Sequence, residues 1–212
     1  MSVQLPPNGP GSVVETITEN ATGAATTYNV GERQVVAIGD GGKATYSAIY
    51  TAQSVGTSAT TALFYLSGSA TKTIRLLQLI VNATIATAGE EYDLVLQKET
   101  ALPTGGTKAT VATIVPWDSL DGAATATTAF YTATPTDGTV TGVLLATKFS
   151  AFIAAATTVQ PPTIPYVFNF GNQPGCKGLV LRGAAQGIVA TINAATPAHT
   201  SSWDVTFVWT EE

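Results

Sequence analysis

Short runs of β-branched and aromatic residues alternate with Gly- and Pro-bearing turns along most of this chain, and that alternation limits its fold more than any other feature. Branched and aromatic side chains fit a pleated surface, while Gly, Pro, Asn and Asp supply the conformations that reverse a chain. Strand-like runs cover residues 44–50, 63–66, 73–81, 92–98, 108–115, 128–134, 142–145, 166–170, 178–182, 187–193 and 203–210. Turn signals fall between them at Gly39-Asp40-Gly41-Gly42, Ser67-Gly68-Ser69 and Thr104-Gly105-Gly106-Thr107. About ten strands spaced roughly 8–15 residues apart form the pattern of an antiparallel sandwich or barrel. No proline interrupts these runs, as ladder hydrogen bonding requires.

Three runs carry more detail. In 203–210, Trp203, Val205, Phe207 and Trp209 share one face, and Asp204, Thr206 and Thr210 the other, with Val208 the exception. That alternation predicts a half-buried strand. Residues 73–81 are apolar on both alternations, which predicts an interior strand covered on both faces. In 144–156, Leu145, Phe149, Phe152, Ile153 and Ala156 would also suit a short helix, but the threonines and the β context favour a strand.

Residues 1–38 read differently. Pro6, Pro7, Gly9, Pro10 and Gly11 make an irregular lead, followed by possible strands at 13–18 and 35–38 separated by a polar Asn/Ala/Thr/Gly stretch. Val13, Val14 and Ile17 are too few to build a core, yet too apolar for a solvated tail. The expected organisation is an extended N-terminal arm, 1–38, ordered by docking, and an antiparallel β-sandwich of jelly-roll type over 39–212.

Composition narrows the function classes. A chain of 212 residues can bury a self-sufficient core, yet only 11% of its residues are charged, so threonine hydroxyls supply much of the surface polarity. The net charge is -5 and the 9 Lys and Arg are scattered, which argues against nucleic acid and anionic membranes as partners. No apolar run approaches the roughly 20 residues that span a bilayer. The N-terminal residues lack a basic and an apolar signal region, and one cysteine cannot form an internal disulfide. Synthesis in a cytoplasm is the expectation.

Chemistry-bearing residues are sparse. His199 is the one histidine, in a loop with no local carboxylate to orient it, and reads as a solvated side chain. Cys176 has Lys177 beside it, which could activate a thiol, but no histidine accompanies it in sequence. Asp118 and Asp121 look like a fragment of a calcium loop without its closing Glu, so turn capping is the plainer reading. Glu90, Glu91 and Asp93 form an acidic cluster expected on a solvated edge. Residues 39–45 fail the spacing of a phosphate loop, and the acceptor patterns at Asn20 and Asn82 carry no weight without a secretion signal. The expectation is no catalytic residue, no cofactor, no metal and no enzyme.

Several segments taken in order carry a resemblance. They are Gly41-Gly42-Lys43-Ala44-Thr45-Tyr46, Leu66-Ser67-Gly68-Ser69 through Arg75, Leu94-Val95-Leu96-Gln97-Lys98-Glu99-Thr100, Pro103-Thr104-Gly105-Gly106-Thr107, Gly178-Leu179-Val180-Leu181-Arg182-Gly183 and Val205 to Glu211. The set is similar to a group of small structural proteins of tailed bacteriophages, some of which resemble capsid decoration, or cement, proteins. It spans most of the chain after the arm. The resemblance implies a virion protein on the capsid exterior that binds the major capsid protein and braces its contacts. No catalytic residues come with it. A homotrimer is expected, by analogy with jelly-roll virion proteins and because a surface with so little charge is easily buried between copies. Val13, Val14 and Ile17 are the expected capsid or neighbour contacts. Two alternatives stay open: a tail- or fibre-associated protein with a receptor- or glycan-binding role, and a glycan hydrolase using two of Glu90, Glu91, Asp118, Asp121 and Asp204.

Overall fold

The structure, a computed structural model, describes residues 15–19, 25–29, 43–55, 62–85, 90–109, 113–153, 165–171, 177–192 and 200–212. It divides into two units, Met1–Gly42 and Lys43–Glu212. In the first, β1 (Glu15–Glu19) and β2 (Ala25–Asn29) form an antiparallel hairpin with Ile17 opposite Thr27. β1 overlaps the run expected at 13–18. β2 arises in the stretch read only as polar, where Thr-Thr-Tyr supplies β-propensity. Val13, Val14 and the run at 35–38 lie outside the described residues.

The second unit is all β, with no helix among the described residues. Its strands are β3 (Ala44–Val55), β4 (Ala62–Ser67), β5 (Thr73–Ile85), β6 (Glu90–Ala101), β7 (Val115–Pro116), β8 (Thr128–Phe130), β9 (Thr139–Ile153), β10 (Tyr166–Asn169), β11 (Leu179–Arg182), β12 (Gly187–Ile192) and β13 (Ser201–Glu211). They make two antiparallel layers packed face to face. One runs β7-β3-β13-β5, with β10 and β11 sharing the far side of β5; the other runs β8-β4-β12-β6-β9. The layers meet along one border, where β5 and β9 pair in parallel at Thr84 with Phe152 and Ile85 with Ile153. The pairings are nested: β3 with β13, β4 with β12, β5 with β10 and β11, and β6 with β9.

Aromatic rings join the layers. Phe64 of β4 meets Phe207 of β13 edge-on at 5.6 Å, and Tyr92 of β6 meets Trp203 of β13 at 5.4 Å. Tyr50 of β3 lies 5.9 Å from Phe130 of β8, and its hydroxyl shares a 2.8 Å hydrogen bond with Thr128. Edge-on and tilted pairs of this kind add to the stabilisation that area burial supplies.

The alternation of β13 is as expected from Trp203 to Phe207: Trp203, Val205 and Phe207 are buried, Asp204 is exposed and Thr206 is half-buried; Trp209 is buried as expected, but Thr210, expected on the outer face, is buried too, between Thr45 of β3 and Arg75 of β5. Val208 is buried as well. It lies between Ser47 of β3 and Gln78 of β5, beside a bulge in the ladder to β5.

Three expectations change. Residues 73–81 do form an interior strand, but only one face of β5 is fully buried; the other is largely half-buried. The run at 108–115 is not a continuous strand: Lys108 makes one bridge to Tyr131, and β7 starts at Val115. Pro116 can sit in β7 because β7 is the outermost strand of its layer, where a missing N–H leaves no ladder bond broken. The runs at 142–145 and 144–156 join into β9, which ends at Ile153. The turn at 104–107 holds, with φ of 68° at Gly105 and 65° at Gly106, a backbone region that glycine enters without steric cost.

Phe207→Ala should cost about 3–5 kcal/mol, because it empties a ring-sized space at the layer junction, whereas Thr206→Ala should cost less than about 1 kcal/mol. Denaturant unfolding of both variants measures the difference.

Candidate functional site

The residues expected to bear chemistry are dispersed. His199, Cys176, Asn20 and the turn 39–42 lie outside the described residues. Lys177, next to Cys176, is exposed, and its carbonyl accepts a 3.1 Å bond from Arg75 Nη1. Asp118 caps its own turn: Oδ1 accepts the Leu120 N–H at 2.9 Å, and its carbonyl accepts the Asp121 N–H at 3.0 Å. Glu91 is exposed on β6, and Asp93 pairs with Lys148 of β9 at 3.3 Å. Asp204 Oδ1 accepts the Ala52 N–H at 2.8 Å. Ala52 has φ of 52°, in the left-handed region, where the β3–β13 register slips by one residue. Asp204 thus holds a bulge. Among the described residues, no three His, Cys, Asp or Glu side chains come together as a metal site.

Sequence reasoning missed two buried acids. Glu211 continues the inward row of β13, and its side chain is 0% exposed. Its carboxylate accepts from the backbone N–H groups of Thr125 (3.0 and 2.9 Å) and Ala126 (3.0 Å), the Thr125 hydroxyl (2.7 Å) and the Trp209 indole (3.1 Å). Lys72 Nζ stands 3.6 Å away. Burial pushes this carboxyl upward, but the donors from Ala126, Thr125 and Trp209 together outweigh burial and hold it below the ordinary value. Glu211 fastens the loop before β8 to the end of β13. Nearby, the Tyr46 hydroxyl donates to the Gly122 carbonyl at 2.9 Å while its ring stacks on Trp209 at 5.8 Å. Glu212 pairs with Arg75 and, at 2.6 Å, with Lys43; hydrogen bonds from those two cations lower its pKa to about 2. The period-2 alternation that places Trp209 inward also places Glu211 inward, so the signal was there.

Glu99 is the second, on the outer face of the β8-β4-β12-β6-β9 layer. Tyr65, Ala129, Tyr131 and Val189 form a small apolar cluster there, with Leu102 packed on it. The chain between β6 and β7 folds over this face through bridges from Thr104 to Thr136 and from Lys108 to Tyr131. Lys108 Nζ sits 5.5 Å from the Tyr65 ring centre and 5.6 Å from that of Tyr131, and donates to the Tyr65 hydroxyl at 3.3 Å. The Tyr131 hydroxyl donates to the Pro103 carbonyl at 2.8 Å, and its pKa is pushed up to about 12, first by burial and then by the charges of Tyr65 and Glu99.

The outward surface of the other layer carries apolar side chains. Ile49 of β3, Thr206 of β13, Ile80 of β5 and Val167 of β10 lie in register across four strands. Ile49 is 53% exposed, Trp117 66% and Leu120 91%. On β9, Val140, Val143 and Leu144 are exposed. This surface can bind by burying apolar area. Comparison with known proteins gives no matching family model, no matching curated protein and no matching solved structure.

Both acids at the C-terminal end of β13 have pKa values below their ordinary 4.5 in the folded chain. The stability they add is therefore complete above about pH 4.5 and is lost as pH falls through their folded values, down to about 2 for Glu212. Glu211→Ala strands the N–H groups of Thr125 and Ala126 and should cost at least about 1–3 kcal/mol at neutral pH. Its stability should also fall less steeply in acid than that of the parent, which urea unfolding at a series of pH values would show.

Proposed function

We propose that this chain is a structural virion protein of a tailed bacteriophage, a decoration or cement protein that binds the outside of the head and braces contacts between major capsid subunits. The observation that carries the reading is the cation-poor outward row on one layer of the sandwich, exposed Ile49 and Val167 with half-buried Thr206 and Ile80 between them, together with exposed Trp117 and Leu120. Apolar side chains left partly exposed together on one face mark interaction sites. The sandwich is of jelly-roll type in this reading. Its support is the nested order of pairs, β3 with β13 inward to β6 with β9, which is how a rolled hairpin builds two sheets.

The protein acts as a homotrimer whose residues 1–38 form a docking arm that carries the β1–β2 hairpin, and Val13, Val14 and Ile17 dock on the capsid or on a neighbouring copy. Many modest contacts repeated by symmetry then add up to strong attachment. A tail- or fibre-associated role with a glycan groove calls for clustered exposed aromatics. Among the described residues, the exposed Trp117 and Tyr166 belong to opposite borders of one layer, beside β7 and on β10. That separation favours the head.

The test is binding to purified heads by the full chain and by a full-length variant with Val13, Val14 and Ile17 all changed to Ser. The variant should bind at least about tenfold more weakly, as lost apolar burial implies. Equal binding would move the docking surface onto the sandwich. Light scattering on the free protein should give the mass of three chains, and a monomer at high concentration would end the trimer reading.

A further inference from the structure

We infer that Glu99 is a neutral carboxylic acid in the folded protein, and that its proton latches the segment after β6 over the outer face of its layer. Glu99 is 0% exposed. Its Oε1 accepts a 2.7 Å bond from Gln97 Nε2, while Oε2 has no hydrogen-bond partner. A Cβ placed on Gly138 would stand 2.3 Å from Oε2 and 1.7 Å from the Ala101 carbonyl oxygen. Those two oxygens are thus no more than about 4 Å apart, and Gly138 leaves the space between them clear. Two acceptors facing each other call for a donor. A proton on Oε2 supplies it: the O–H of Glu99 donates to the Ala101 carbonyl, which has a second lone pair to accept it. A carboxylate there would leave a buried charge with the Gly138 backbone as its one weak donor at Oε2, which is costly.

The surrounding charges agree. The loop before β9 contributes Asp137, whose negative charge opposes ionisation of Glu99. The Tyr131 hydroxyl is spent on Pro103, and Lys108 on the Tyr65 hydroxyl and the two rings. β12 presents Gly187 opposite Glu99, which brings no charge. Burial pushes the Glu99 carboxyl upward; the Gln97 bond works against that, Asp137 adds to it and the Gly138 backbone opposes it, with a net rise. A raised folded-state value means that the latch is complete at low pH and is lost as pH rises through that value. Ionised, Glu99 repels Asp137 and faces the Ala101 carbonyl with like polarity. The bridges from Thr104 to Thr136 and from Lys108 to Tyr131 then give way, baring Tyr65, Tyr131 and Val189.

The experiment uses the full chain with ¹³C-labelled glutamate, titrated from about pH 4 to 9, with amide exchange of Thr104, Thr136 and Tyr131 followed in parallel and corrected for the intrinsic rate. The Glu99 carboxyl carbon should titrate above the other glutamates, and protection of those amides should drop at least tenfold in step with it. Glu99→Gln should keep its protection across the range, because its amide can donate to the Ala101 carbonyl at any pH. Titration of Glu99 at or below the ordinary value overturns the proposal, as does protection that stays flat while Glu99 ionises. Saturable calcium binding that lowers the Glu99 titration overturns it too, since a cation would then occupy the place of the proton. If the Gln variant fails to fold, the two wild-type curves decide the matter.

Discussion

β13 is hydrogen-bonded along both borders, to β3 on one side and β5 on the other, and its inward side chains are those against which the second layer packs. Trp203 meets Tyr92, Phe207 meets Phe64 and Trp209 stacks on Tyr46. Glu211 ends the same row and ties down the loop leading into β8. A one-residue slip of β13 would turn every one of these groups outward. The register is pinned by the size of the rings and by two bulges, one of which Asp204 holds through the Ala52 N–H.

How much of this the sequence reveals depends on what each segment must satisfy. β13 was legible because one face is buried throughout and the other is open at Asp204 and Thr206, so period-2 alternation survives in the residues until Val208 and Thr210, where both faces are covered. β5 was legible as an interior strand but not in its exposure: Leu77 and Ile80 look like core residues in sequence, yet they lie on a half-buried outer face. Apolar character alone cannot separate a covered face from a sticky one. The run at 108–115 misled because its ends are tied to different neighbours, Lys108 to Tyr131 and Val115 to Ser47 of β3, and Thr113 and Ile114 have β propensity but no strand to join, so tertiary pairing overrides propensity. Asp118 caps its turn as its sequence context implied, whereas the ion pair of Asp93 and the bulge held by Asp204 depend on partners distant in sequence, Lys148 and Ala52, and were not legible.

The low charge content has a structural counterpart. With few long charged side chains, much of the outward surface is threonine and exposed aliphatic residues, so the energetic contrast between water and a partner's surface is small on its polar part and favourable on its apolar part. Five of the few charges meet at the C-terminal end of β13. Lys43, Arg75 and Glu212 join the first strand of the sandwich, β5 and the end of β13. Lys72 and Glu211 lie beside them.

The two buried acids show that burial alone does not decide protonation. Both carboxyls are removed from water, and in both burial favours the neutral form. Glu211 is met by two backbone N–H groups, a hydroxyl and an indole, all donors, so the charged form has partners for both oxygens and prevails. Glu99 is met by the Gln97 amide and the Gly138 backbone as donors, against a carbonyl oxygen and the negative Asp137, so its donors are too few to outweigh burial. A site rich in donors selects the carboxylate, and one poor in them selects the acid. The same residue type therefore makes a fixed anionic clamp at one end of the sandwich and a proton-dependent contact on its outer face, and the difference lies in which backbone groups the topology brings to each oxygen.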